Sequence, residues 1–237
     1  MSLLDIYRIQ LYYISFKRKE QLEKELTFAG FKDVNMFTAI NGVAMDVTTL
    51  RKDNVISARS YNDLMTNRQQ HSGIPSLGSI GCALSHYSLW KKCLDDDLDY
   101  IIIVEDDLKV ERIRAVDIDK IRNVLRKDKG LYISSNHKPV PPLYEFCGAH
   151  FYIASKSACE ELIKHMFPID VQVDYYMGHL KSLGYINLEG FPIYRQYTRF
   201  SSVQDLCLPC YVTNGLDLFI VFLLLYFIAS VVYAIPK

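Results

Sequence analysis

The feature that most constrains this chain is a run of four β-branched residues, 101–104, followed at once by Glu105, Asp106 and Asp107. The run does not alternate with polar residues, which predicts a strand covered on both faces, as in the middle of an α/β sheet. Ligands of open α/β sheets bind beyond the carboxyl ends of the strands, where these three acids would emerge. The acids therefore predict a divalent-cation site or, as the plainer interpretation of a short motif, a solvated acidic turn.

The first forty residues predict the unit from which such a sheet is built. Residues 6–16 are rich in β-formers, the charged stretch 17–26 favours helix, and residues 34–40 have strand character again. A strand, a helix and a strand within this length form the βαβ unit of a parallel sheet. Downstream, we expect helices at 77–90, 116–129 and 158–165, and strands at 131–135, 147–154 and within 186–200.

Composition excludes some classes of partner. The 237 residues are 50% hydrophobic and 23% charged, which is typical of a globular chain with one sizeable core. Lys plus Arg equals Asp plus Glu at 27 each, so no net charge attracts the chain to nucleic acid or to an anionic membrane surface.

The carboxyl-terminal segment 218–235 has no charged residue over 18 positions and predicts a transmembrane helix. A buried terminal helix or an oligomer contact is the alternative. The predicted organisation is a catalytic domain at 1–206, a juxtamembrane linker at 207–217 and the span. Since we see neither a secretory leader nor an Asn-x-Ser/Thr site, we expect a tail-anchored protein whose domain faces the cytosol. Cys207 and Cys210 in the linker are candidates for acylation, redox chemistry or a plain structural role.

Other residues outside the acidic strand end suggest binding or catalysis. Gly81 lies in a glycine-opened helix that could offer free N–H groups to a phosphate, and His86 in that helix is a candidate site residue or a structural histidine. Asp170 and Asp174 lie four residues apart, on one face if they are helical. Helix capping is the alternative role for both carboxylates. The polar segment 45–76 predicts a binding loop or lid, or a solvated surface excursion.

Several blocks of the chain occur in the order and spacing of a known family. The sequence resembles glycosyltransferase family 25, which includes bacterial lipooligosaccharide galactosyltransferases and collagen galactosyltransferases, over residues 6–203. The blocks are Phe37-Thr38-Ala39-Ile40-Asn41-Gly42, Ser79-Ile80-Gly81-Cys82-Ala83-Leu84-Ser85-His86 with Trp90, Val104-Glu105-Asp106-Asp107, Gly148-Ala149-His150-Phe151-Tyr152-Ile153 and Ile169-Asp170-Val171-Gln172-Val173-Asp174.

The resemblance implies a GT-A-like, Rossmann-type mixed sheet flanked by helices, and a metal-dependent enzyme that moves a hexose such as galactose from a UDP-sugar to a glycan or protein hydroxyl. A hard cation, Mn²⁺ or Mg²⁺, neutralises the diphosphate leaving group. Asp107 is expected to hold it together with Glu105 or Asp106. Glu105 and Asp107 share one side while strand geometry lasts, and Asp106 could instead face the ribose.

The same resemblance implies roles for residues outside the acidic strand end. Inversion at the anomeric carbon needs a base for the acceptor hydroxyl, for which Asp174 or Asp170 is the candidate. Arg18, Gly81 and His86 are the candidates for contacting the nucleotide phosphates or for fixing the site.

Two departures from the family pattern motivate an alternative. Ser79 stands where the family usually has Glu, and the first strand reads Tyr12-Tyr13-Ile14-Ser15-Phe16 where an Ile-Asn-Leu-Asp type is usual. The alternative is a catalytically inactive, membrane-anchored binding or scaffold protein. A metal-dependent phosphoesterase is a third interpretation, although the further Asp and His ligands of a two-metal site are missing nearby.

Overall fold

The structure, a computed structural model, describes residues 5–66, 73–134 and 148–196 and the single residue 223. Strands and helices alternate through most of these residues, as expected for an α/β chain. In chain order they are β1 (Leu11–Ser15), α1 (Glu20–Ala29), β2 (Val34–Thr38), α2 (Val47–Lys52), α3 (Ala58–Thr66), α4 (Leu77–Asp95), β3 (Tyr100–Glu105), β4 (Leu108–Lys109), α5 (Ala115–Leu125), β5 (Gly130–Ile133), β6 (Phe151–Ser155), α6 (Lys156–His165), α7 (Val173–Ser182), β7 (Asn187–Gly190) and β8 (Arg195–Gln196).

Six strands form one mixed sheet in the order β2-β1-β3-β6-β5-β7. The strand β1 pairs in parallel with β2 and β3, and β5 pairs in parallel with β7, whereas β6 runs antiparallel to both of its neighbours. The short strands β4 and β8 pair separately. The predicted βαβ unit and the mixed α/β sheet with flanking helices are confirmed.

The strand β3 is covered on both faces, as its unbroken apolar run predicts. Ile101 and Ile103 belong to a core cluster with residues of α4, α6 and α7, whereas Ile102 and Val104 belong to a second cluster with residues of α1 and α5. All four side chains are fully buried. The sheet therefore separates two cores, and β3 is common to both.

The segment 45–76 contains more regular structure than its weak pattern predicts. The helices α2 and α3 occupy much of it, and residues 67–72 lie outside the described part of the chain. Asp46 caps α2 by accepting a hydrogen bond from the Thr49 N–H at 2.7 Å. Ile56 forms a parallel bridge with Ile169, so this segment is joined to the chain just before α7.

The expectation of a membrane helix requires correction. In the part of the chain that the structure describes, no helix combines the length and the apolar character needed to cross a bilayer. The longest of these helices is α4, with 19 residues, which carries Lys91, Lys92 and Asp95. The predicted span, 218–235, lies outside the described residues apart from Leu223, as does the predicted linker. The predicted fold class is corrected accordingly: residues 5–66, 73–134 and 148–196 form an α/β sheet flanked by helices that include no membrane helix. The tail-anchored location, the membrane partner and the cytosolic orientation lose their support.

Candidate active site

The carboxyl ends of β1 and β3 meet at one edge of the sheet. The two strands are parallel, and Ile14 lies opposite Glu105, the last residue of β3. The hydroxyl of Ser15, the last residue of β1, donates to Asp106 Oδ2 at 2.6 Å, and the Lys19 Nζ lies 3.2 Å from the same oxygen. The charge of Asp106 is thus partly compensated by a lysine from the segment that joins β1 to α1, which lowers its suitability as a principal cation ligand.

The antiparallel strand β6 brings a second group of residues to this edge. Glu105 donates its backbone N–H to the His150 carbonyl at 3.0 Å, just before β6 begins. Gly148 donates its N–H to Asp174 Oδ2 at 2.7 Å, and Tyr175 donates its N–H to Asp174 Oδ1 at 2.9 Å. The first turn of α7 is therefore held against the end of β3.

The surroundings of the Asp174 carboxyl change its pKa. Burial raises the pKa of Asp174, the Gly148 and Tyr175 N–H groups oppose this shift, and the negative charge of Glu105 adds to it. A carboxyl whose pKa is raised towards the working pH is a better general base than an ordinary aspartate.

The helix α4 packs on one face of the sheet and brings Cys82 and His86 close to the Glu105 side chain. The Cys82 Sγ lies 3.9 Å and the His86 Nε2 lies 3.6 Å from Glu105 Oε1. On the other side of its ring, His86 Nδ1 lies 2.8 Å from the Tyr152 hydroxyl, which also accepts a hydrogen bond from the Trp90 indole at 2.9 Å. His86 is fully buried, whereas the Glu105 side chain keeps 25% of its surface exposed.

Asp107 contributes negative charge to the same region. Burial raises the pKa of the Cys82 thiol well above its ordinary value, and the charges of Glu105, Asp174 and Asp107, in that order, raise it further. Three carboxylates therefore act on one thiol. The alternation expected for Glu105 and Asp107 does not extend this far, because β3 ends at Glu105 and the chain turns at residues 106 and 107.

The structure places Asp170 in different surroundings from Asp174. The helix α7 begins at Val173, so the two aspartates do not share a helix face. Asp170 accepts a hydrogen bond from the Ser57 hydroxyl and forms an ion pair with Arg59, whose Nη1 lies 3.4 Å from Asp170 Oδ2. Its carboxylate joins α3 to the segment before α7.

Arg18 and Gly81 each make contacts within the fold that give the residue a structural role. The Arg18 guanidinium forms an ion pair with Glu23 at 2.9 Å, and Glu23 also accepts a hydrogen bond from the Tyr13 hydroxyl at 2.6 Å. Gly81 packs directly on the chain after β2: a Cβ at Gly81 would lie 2.4 Å from the Ile40 carbonyl oxygen and 2.5 Å from the Gly42 nitrogen. The glycine therefore permits a close approach of α4 to the loop after β2.

Sequence reasoning missed Ser15, Lys19, Cys82 and Tyr152 as residues of this edge. For Cys82, a signal was present, because it lies four residues before His86 and therefore on the same helix face. Ser15 and Lys19 carried no comparable signal, since Asp106 lies 91 residues from Ser15 along the chain.

Comparison with known proteins places the chain in a family. An α/β sheet with acids at the carboxyl edge of its central parallel strands defines a broad class of ligand-binding domains. Residues 8–136 match the model of glycosyltransferase family 25, described as LPS biosynthesis protein. This match covers more than half of the chain, which belongs to glycosyltransferase family 25.

Three relatives show the extent of the similarity. Human procollagen galactosyltransferase 2 is 28% identical over 105 residues, which cover 43% of this chain and 16% of that protein. Lipooligosaccharide biosynthesis protein lic2B of Haemophilus influenzae is 33% identical over 112 residues, 38% of this chain and 41% of that protein. Procollagen galactosyltransferase 1 of Danio rerio is 21% identical over 214 residues, 76% of this chain and 34% of that protein. The matches thus span less than half the length of each of these relatives.

Proposed function

We propose that this chain transfers a hexose, with galactose as the first candidate, from a UDP-sugar to a hydroxyl group of a glycan or a protein. The proposal rests on membership of family 25 and on the names of the relatives, two of which are galactosyltransferases. The observation that carries it is the position of Glu105 at the carboxyl end of β3, with Asp106 and Asp107 directly after it and Asp174 held by Gly148, two residues before the His150 carbonyl that Glu105 bonds. A concentration of negative charge at this edge suits a cation-dependent reaction of a diphosphate.

The donor set at the end of β3 fits a hard cation. Carboxylate oxygens are the ligands that Mn²⁺ and Mg²⁺ prefer. Glu105 and Asp107 would hold the ion, while Asp106, which is bound by Ser15 and Lys19, would orient the connection between β1 and α1 next to the donor. When bound, the ion supplies positive charge that neutralises the diphosphate as it leaves.

Asp174 is our candidate for the base that takes the proton of the acceptor hydroxyl. Its raised pKa and its position beside Glu105 support this role. Asp170 is the second candidate, although its carboxylate is engaged by Ser57 and Arg59. His86 would fix the site through Glu105, whereas Arg18 and Gly81 remain candidates for contacts to the nucleotide.

An assay of the purified chain with a panel of UDP-hexoses tests the proposal. We expect UDP release and product formation with Mn²⁺ or Mg²⁺, and loss of both on chelation with EDTA. Asp174→Asn should lower kcat about 10²- to 10⁴-fold if Asp174 is the base. Asp107→Asn should raise the concentration of Mn²⁺ needed for half-maximal rate, because it removes a ligand charge.

Asp119→Asn is the matched control. Asp119 lies on α5, is 72% exposed and pairs with Arg122, so its replacement should leave turnover unchanged. Wild-type rates in Asp107→Asn at every metal concentration would contradict the role of Asp107. An increase in Tm with UDP-sugar and Mn²⁺ but without turnover for any acceptor would instead favour the inactive binding protein.

A further inference from the structure

One group of side chains at this edge does not have the chemistry of a Mn²⁺ site. Cys82 and His86 lie one helical turn apart on α4, and both approach the carboxylate of Glu105 at the end of β3. The ligand atoms of the three residues all lie within 4.8 Å of one another. The group offers one sulfur, one imidazole nitrogen and one oxygen.

The imidazole of His86 is held so that its Nε2 faces the other two residues. The Tyr152 hydroxyl lies 2.8 Å from Nδ1, and the Trp90 indole donates to the same hydroxyl at 2.9 Å. No hydrogen-bond partner for His86 Nε2 is found among the described residues, although the side chain is fully buried. Glu105 Oε1 lies 3.6 Å from this nitrogen, beyond hydrogen-bonding distance, and a buried nitrogen without a hydrogen bond in a native structure calls for an explanation.

The distances suit a tetrahedral ion. A zinc ion bound at normal lengths separates nitrogen from oxygen by about 3.3 Å and sulfur from oxygen by about 3.6 Å. The corresponding separations from Glu105 Oε1 are 3.6 Å for His86 Nε2 and 3.9 Å for Cys82 Sγ. These two separations each exceed the tetrahedral values by about 0.3 Å, and the third pair of ligand atoms, Cys82 Sγ and His86 Nε2, lies within 4.8 Å. The Glu105 side chain is 25% exposed, so the site lies near solvent, which can supply the fourth ligand.

We propose that Cys82, His86 and Glu105 form a second cation site, selective for Zn²⁺ and similar thiol-binding ions over Mn²⁺ and Mg²⁺. Thiolate and imidazole ligands suit Zn²⁺, whereas Mn²⁺ and Mg²⁺ prefer oxygen. Binding displaces the Cys82 thiol proton to solvent, Sγ and His86 Nε2 each donate an electron pair to the ion, and the Nδ1–H of His86 is held by Tyr152.

Occupancy of this site has a consequence for catalysis that rests on the proposed function. Glu105 belongs to both sets of ligands, so an ion between Cys82 and His86 withdraws it from the Mn²⁺ site. Zn²⁺ therefore acts as an inhibitor that competes through a shared carboxylate. Asp107 and Asp174 are the nearby acids that would add to the attraction of either ion.

Cobalt binding tests the site without any measurement of activity. Co²⁺ stands in for Zn²⁺ and gives a sulfur-to-metal charge-transfer band only when a thiolate is bound. The full chain would carry Cys207→Ser and Cys210→Ser, because that pair would itself bind the probe. We expect one equivalent of Co²⁺ with this band, displaced by one equivalent of Zn²⁺.

Two variants decide which residues hold the ion. Cys82→Ser should abolish the band, and Cys159→Ala, which removes a buried free thiol on α6, should retain it. Equal far-ultraviolet circular dichroism of the two proteins would show that both are folded. Absence of the band in the parent chain, or its persistence in folded Cys82→Ser, would overturn the proposed site.

An activity measurement tests the shared carboxylate separately. In the presence of Mn²⁺, Zn²⁺ should reduce turnover of the parent chain as the cobalt-binding site fills, and Cys82→Ser should need at least tenfold more Zn²⁺ for the same loss. Cobalt binding through Cys82 in a chain without turnover would overturn the proposed function and leave the cation site standing. Turnover unaffected by Zn²⁺ in a chain that binds Co²⁺ through Cys82 would overturn the competition through Glu105.

Discussion

At the scale of single residues, Asp174 shows that burial and the charge of Glu105 outweigh two backbone hydrogen bonds. Its pKa is raised although Gly148 and Tyr175 both donate to its carboxylate. A raised carboxyl pKa means that the folded chain binds this proton more tightly than the unfolded chain does. The stabilising contribution of Asp174 is therefore fully present below the unfolded pKa, about 4, and is lost as the pH rises through the folded pKa.

The Asp174→Asn variant tests this linkage. Asn does not titrate, so the free energy of unfolding of the wild type, minus that of the variant, should fall as the pH rises from about 4 and become constant above the folded pKa. Urea unfolding at a series of pH values measures this difference. A difference that does not change with pH would contradict the raised pKa.

Asp46 provides a control of opposite sign. The Thr49 hydroxyl and backbone N–H hold the pKa of Asp46 below its ordinary value at the start of α2. Its contribution to stability is present above the unfolded pKa and is lost as the pH falls through the folded pKa. The same series with Asp46→Asn should therefore give a difference that rises with pH.

The sequence could predict those parts of the site whose partners lie close together in the chain. It could not predict those whose partners lie far apart. The acids after β3 were placed correctly at the sheet edge, because a buried strand and its end are local features. The separation of Asp170 from Asp174 was not predictable, since the Ile169 carbonyl accepts a hydrogen bond from the Ser57 N–H at 3.0 Å, more than a hundred residues away. Such long-range contacts override the four-residue spacing that suggests one helix face.

At the scale of elements, the contact between α4 and the loop after β2 positions Cys82 and His86. A Cβ at Gly42 would lie 1.8 Å from the Leu77 carbonyl oxygen, so backbone packs against backbone here. The Ser85 hydroxyl accepts a hydrogen bond from the Ile40 N–H at 2.9 Å and donates to the Gly81 carbonyl at 2.7 Å. The docking of α4 thus accounts for Ser85 and for Gly81, which the sequence associates with a phosphate-binding helix.

The Gly81→Ala variant should disturb this docking. The new methyl group meets the Ile40 carbonyl oxygen at 2.4 Å, so α4 must move, and overpacking of this kind reduces stability by about 1–3 kcal/mol. Urea unfolding measures the loss. Ser88→Ala on the same helix is the control, since it removes only a hydrogen bond within the helix and should change stability by less than about 0.5 kcal/mol. Equal stability of Gly81→Ala and the wild type would contradict the close contact.

At the scale of the whole molecule, the strand β3 couples the two cores. Ile102 belongs to the core cluster with α1 and α5, whereas Ile103 belongs to the cluster on the opposite face, which also contains Trp90, the only tryptophan of the chain. Because β3 contributes side chains to both cores, unfolding of this strand removes buried contacts from both. The described α/β unit should therefore unfold as one cooperative body.

The Ile102→Val variant tests this coupling. Removal of one buried methylene reduces stability by about 0.5–1.5 kcal/mol, on the face remote from Trp90. In Ile102→Val, the unfolding midpoints from Trp90 fluorescence and from far-ultraviolet circular dichroism should fall together. They should also fall together in Ile103→Val, whose side chain belongs to the cluster that contains Trp90. A fluorescence midpoint that stays at the wild-type value in Ile102→Val, while the dichroism midpoint falls, would show two independent units.

The order of strands also sets the timing of folding during synthesis. The unit of β1, α1 and β2 is contiguous, but the second neighbour of β1 is β3, and the Ser15–Asp106 contact between their ends joins residues 91 positions apart. At a translation rate of about 5–20 residues per second, this interval lasts about 5–20 s. During that time one edge of β1 emerges from the ribosome without its native partner, and an unpaired strand edge is prone to aggregation. The nascent chain is thus most vulnerable to aggregation before β3 has been made.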